Sequence, residues 1–97
     1  MKFEFNYAQT IQQAKELDKI ATEMQNGSIK KLNEICENIE AAWGGEAGKA
    51  YLRYMRSVQE NLQKKANYIK ETAEFLRNTA KKMQQADAQA KAASRKI

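Results

Sequence analysis

Apolar and small residues recur at Ile11, Ala14, Leu17, Ala21, Met24, Ser28, Leu32, Ile35 and Ile39. The steps are threes and fours, the spacing of one helix face. A second such series runs through Tyr51, Met55, Val58, Leu62, Ala66, Ile69, Ala73, Leu76, Ala80 and Met83. The pattern predicts two helices, one over about residues 7–42 and one over about 46–84, with a basic, alanine-rich tail at 85–97. Asn6, followed by Gln9, reads as the start of the first helix. Gly27-Ser28 is its weak point. A lone glycine costs a helix about 1 kcal/mol relative to alanine, so the site reads as a tolerated irregularity, or else as a break.

Each helix would be about 35 to 40 residues, roughly 55 to 60 Å at 1.5 Å per residue. That length suits an extended hairpin. Folded antiparallel, the two series pair as mirror images about Gly45: Ile39 with Tyr51, Ser28 with Leu62, Met24 with Ala66, Ala21 with Ile69. Both series carry a four-four step, at Ser28 and at Leu62, and these positions are partners. The reversal falls on "AAWGGEAG", residues 41–48. Glycine is the usual residue just past a helix end because it takes positive φ at little cost. Glu46 then sits near the next helix N-terminus, where negative charge is favoured. Trp43 reads either as a packing anchor that closes the hairpin or as a recognition feature for a partner.

A single hairpin has no third layer to cover its flanks. Ile20, Ile29, Cys36, Trp43 and Tyr54 fall off the predicted seam, and Ile29, Cys36 and Trp43 are spaced by sevens. Small cores of this kind gain stability by oligomerisation. The fold expected is therefore all-α: an antiparallel two-helix hairpin pairing into a dimeric four-helix bundle. Its interface is expected at Ile29, Leu32, Cys36, Ile39 and Tyr54.

Composition narrows the chemistry. The single domain of 97 residues contains no proline, no histidine and one cysteine, Cys36. One thiol forms no internal disulfide, and no zinc ligand set exists. Without histidine there is no ready base to activate Cys36, which reads as a small apolar residue. "GGEAGK" lacks the spacing of a phosphate-binding loop. No enzyme, cofactor or metal is expected. The first residues, "MKFEFNYAQ", carry no apolar stretch of a secretory signal peptide.

Charge is unevenly placed. Residues 1–76 carry 11 basic and 11 acidic side chains, whereas residues 77–97 carry six basic ones against Asp87 alone. An alternative function follows: a structural helical module whose basic tail binds nucleic acid or an anionic membrane. Nucleic-acid binding would want aromatic side chains among the basic ones, and none follows Phe75. No nucleic-acid partner is expected.

Two long helices joined at Trp43-Gly44-Gly45 resemble the WXG family of small type VII secretion substrates, the early secreted antigenic target (ESAT-like) type. The resemblance covers the whole chain. It implies a helical hairpin that forms homodimers or pairs with a related WXG-type protein. It also implies bacterial export without a cleaved signal peptide, from the cytoplasm, by a machine whose ATPase is a partner. A larger exported toxin is a further partner if the protein serves as an adaptor. The family's turn residues carry over to Trp43 and Gly45. In such proteins the turn of one subunit lies near the C-terminal tail of the other, and the two make a composite export signal. The family's tail motif is Tyr-x-x-x-Asp/Glu. Here no tyrosine follows Tyr68, and "MQQAD" places Met83 and Asp87 in the two positions. Methionine offers the apolar bulk of tyrosine without its hydroxyl.

Overall fold

The computed structural model describes residues 6–95. They form one rod of helices measuring 79 × 22 × 17 Å. Helix α1 spans Tyr7–Met24, a π-helical turn spans Gln25–Ile29, α2 spans Lys30–Ala42 and α3 spans Gly45–Arg95. There is no strand among the described residues. The first arm is α1, the π turn and α2 run together, and α3 returns antiparallel along it.

The ends follow from local chemistry. Asn6 is extended and its side-chain oxygen accepts the Gln9 backbone N–H at 3.0 Å. This satisfies one of the free donors of the first turn. Trp43, also extended, closes α2 by donating its N–H to the Ile39 carbonyl at 2.8 Å. The left-handed residue is Gly45, with φ +78°. The positive φ thus falls three residues beyond the end of α2, at the start of α3. Glu46 lies in the first turn of α3, as its charge favours.

Gly27-Ser28 is an irregularity and not a break. The arm stays helical through it but widens into the π turn. The wider turn holds one residue more than an α-helix would, and this changes which residues meet the seam. Ser28 is exposed, and Ile29 takes its place, buried with Ala21 and Ala66. Met24, Leu62 and Ile69 pack against the same cluster. The mirror pairing of Met24 with Ala66 and Ala21 with Ile69 therefore describes the middle of the hairpin. The partner of Leu62 is corrected from Ser28 to Ile29. Ile29 and Cys36, expected off the seam, lie in it, at 8% and 0% exposure.

Nearly every fully buried side chain is small: Ala14, Ala21, Cys36, Ala66, Ala73 and Ala80. Two helices can fully enclose only what lies on the line between their axes. Small residues there let the backbones approach closely. Leu17, Leu32, Leu62 and Leu76 flank that line and stay partly exposed.

The second helix runs past its expected end near residue 84 and continues to Arg95. Alanines 86, 88, 90, 92 and 93 are the best helix formers, and they carry the helix beyond the start of the first arm. Residues 96 and 97 of the expected tail lie outside the described residues.

Candidate functional site: turn, tail and flanks

The turn is built around Trp43. Its ring packs against Tyr51, in the second turn of α3, with centroids 5.3 Å apart and planes inclined at 41°. Its backbone covers Gly48, which is buried. A methyl group on Gly48 would sit 3.0 Å from the Trp43 Cβ and 3.0 Å from its carbonyl oxygen. The third glycine of "AAWGGEAG" is thus there for close approach, whereas Gly45 is there for its φ. Sequence reasoning assigned no role to Gly48. The available sign was a glycine inside the first turn of a helix, where it is otherwise disfavoured.

Trp43 remains 53% exposed. Its Cβ and backbone are fixed from below by Gly48 and one side of its ring by Tyr51, while the rest of the indole faces outward. The position is both an anchor and a displayed surface.

On the tail, Met83 is half-buried and Asp87, one turn further on, is exposed. Asp87 stands 3.8 Å from Lys91 in an open pair of the kind that contributes little stability. Turn and tail do not meet within one chain. From Gly45 to Met83 the helix rises roughly 57 Å at 1.5 Å per residue.

The two flanks of the hairpin differ. On one, side chains bond across the seam. Arg77 reaches Asp18 at 2.6 Å and Glu74 at 2.9 Å. Hydrogen bonding to Glu74, and then to Asp18, raises the Arg77 pKa and holds its charge more firmly. Lys70 donates to Gln25 at 2.9 Å, and Arg56 donates to Asn33 at 2.7 Å and to Gln59 at 3.0 Å. On a wheel centred on Ala73, all the α3 members of this set fall to one side.

The other side of the wheel is largely apolar, interrupted on α3 by the exposed Asn61 and Lys65. Here α3 presents Tyr54, Val58, Tyr68, Ile69, Thr72, Phe75, Leu76 and Met83, and the first arm presents Leu17, Ile20, Met24, Leu32, Ile35 and Ile39. Tyr68 is 70% exposed and Phe75 67%. With Glu71 and Thr72 they line a shallow open groove. Ile11 and Leu52 are the exceptions, half-buried on the polar side. Of the five expected interface residues, Leu32, Ile39 and Tyr54 lie on the apolar flank. Ile29 and Cys36 are covered by α3, because the π turn rotates them inward.

No group of His, Cys, Asp or Glu side chains fit for a metal stands together among the described residues. No described helix is long and apolar enough to cross a membrane.

The family model described as proteins of 100 residues with WXG, the WXG100 family, matches residues 2–88. No curated protein and no solved structure matches the chain. The match spans the hairpin, the Trp43-Gly44-Gly45 turn and the tail as far as Ala88, including Met83 and Asp87. This chain therefore belongs to the WXG100 family, non-enzymatic small helical proteins of type VII secretion.

Proposed function

We propose that the protein is exported by a type VII secretion machine, or acts as partner or adaptor for a larger exported protein such as a toxin. It works by binding: through helix-bundle dimerisation and through a recognition signal made of turn and tail. The observation that carries this reading is Trp43, a tryptophan held rigidly at its base and left half exposed on the bend. A side chain serving only as a plug gains most by full burial. One that displays an apolar face on a fixed backbone suits recognition.

The dimer completes the signal. The molecule is 79 Å long and α3 runs nearly its full length. A second copy laid antiparallel on the apolar flank brings its tail, with Met83 and Asp87, level with this chain's Trp43 and Gly45. Leu32, Ile39 and Tyr54 belong to that interface, joined by Ile20, Tyr68 and Phe75. The chain exposes 7720 Å², against about 5,700 Å² for a compact globule of its mass. The excess exceeds the roughly 800 Å² per partner that a standard interface covers. A related WXG-type protein with a similar flank fits the same surface. The secretion ATPase is the reader of the composite signal, and export proceeds from the cytoplasm without a cleaved signal peptide.

The test is export from a cell carrying the matching machine. Trp43→Ala, Gly45→Ala and truncation after residue 82 should each lower the extracellular level while the protein stays detectable inside. Unchanged extracellular levels for all three would overturn the proposal.

A further inference from the structure

The buried positions of the first arm are Ala14, Ala21, Ile29 and Cys36. Their steps are seven, eight and seven. A continuous α-helix that kept Ala21 on the seam would present residues 28 and 35 next. One surplus residue would rotate everything beyond it by about 100°. The π turn at Gln25–Ile29 absorbs that residue, so the arm continues in phase with Ile29 and Cys36 inward. The next position on this line is Trp43.

Two observations tie the phase to the turn. The Trp43 ring packs on Tyr51 and its backbone lies on Gly48. A rotation of α2 would carry Trp43 off both. Gly27, within the π turn, has open space around it and no positive φ. Neither close packing nor a left-handed backbone requires glycine there. What glycine supplies is a weak preference for the regular helix at the point where the wider turn forms.

We propose that the Gln25–Ile29 turn is a positioning device for Trp43. By taking up its surplus residue in a wider turn it keeps α2 in rotational phase with α1, and so decides which way the indole faces, across roughly three and a half turns of helix. The consequence for export rests on Trp43 being half of the export signal.

Residue counting tests this. Deleting Asn26 removes the surplus, and Ile29, Cys36 and Trp43 then follow Ala21 by seven, fourteen and twenty-one residues. Inserting one alanine after Gly27 adds a second surplus. Combining both changes restores the count. In the purified full-length protein, Cys36 reactivity toward a disulfide thiol reagent reports the seam, and Trp43 emission reports the turn. The deletion and the combined variant should match the parent in both readouts. The insertion should make Cys36 react as an exposed thiol and shift the Trp43 emission. An insertion that leaves both unchanged, or a deletion that exposes Cys36, overturns the proposal. In secreting cells the deletion should be exported and the insertion retained. An insertion with shifted readouts that is exported normally leaves the positioning intact and overturns the reading of Trp43 as an export signal.

Discussion

The two flanks of this hairpin are made by the same pair of helices, yet they are finished differently. One is bridged by Asp18, Arg77 and Glu74, by Gln25 and Lys70, and by Asn33, Arg56 and Gln59. The other carries Ile20, Tyr54, Tyr68 and Phe75 with large exposed surfaces. Partly exposed ion pairs add little stability. Exposed aromatic area is a standing cost that burial recovers at about 25 cal/mol per Å². The polar flank therefore serves as a solvent face that closes the seam. The apolar flank is the one with free energy to gain from a partner. Association is therefore to be sought on the apolar flank; of the residues expected at an interface, Ile29 and Cys36 are buried in the seam instead.

The largest effect should come from charging the apolar flank. Tyr68→Glu and Phe75→Glu should leave helicity nearly unchanged and abolish self-association at micromolar concentration, as read by sedimentation. Lys15→Glu, an exposed position on α1, is the control. Equal masses for all three variants would remove the distinction between the flanks.

Overfilling the line between the flanks comes next. Ala73→Leu places a large side chain where the helices are closest, and should destabilise by about 1–3 kcal/mol. Denaturant unfolding followed by circular dichroism measures it, and a neutral result would mean the helices are not held together by small residues.

The turn should follow. Gly45→Ala must hold a Cβ at φ +78°, costing roughly 1–2 kcal/mol. Gly48→Leu should cost more than Gly45→Ala and also shift Trp43 emission, because its side chain meets the Trp43 backbone. If the two variants unfold alike with identical emission, Gly48 has no positioning role.

The smallest effect belongs to the polar flank. Asp18→Asn removes the cross-seam charge from Arg77, and should lower the melting temperature only slightly, by an amount that shrinks with added salt. A large, salt-insensitive loss would show that this flank contributes to the core after all.

The two long helices, the reversal at Gly44-Gly45 and the antiparallel pairing around Met24 and Ala66 were legible in the residues. Each rests on local information: spacing by threes and fours, the absence of proline, and glycine at the midpoint. The displacement of Ser28 by Ile29 was not legible. A four-four step at Ser28 marked the place, but it can be met by overwinding, by a break or by a π turn, and these send different residues inward. Gly48 was overlooked because its constraint is a neighbour's backbone five residues earlier in sequence. The cross-seam bonds of Arg77, Lys70 and Arg56 depend on the reach of long side chains, which periodicity does not encode.

That this chain is a helical hairpin bent at Trp43-Gly44-Gly45 follows from its residues alone, because hydrophobic period and backbone permissiveness are properties of neighbouring residues. Which residues line the seam, which flank is left apolar and how Trp43 is presented come from how the two helices pack. Those outcomes depend on the rotational phase of α2 against α3. Whether one surplus residue is taken up in a π turn or carried on in a regular helix changes that phase by about 100°, and only the packing of both helices selects the result.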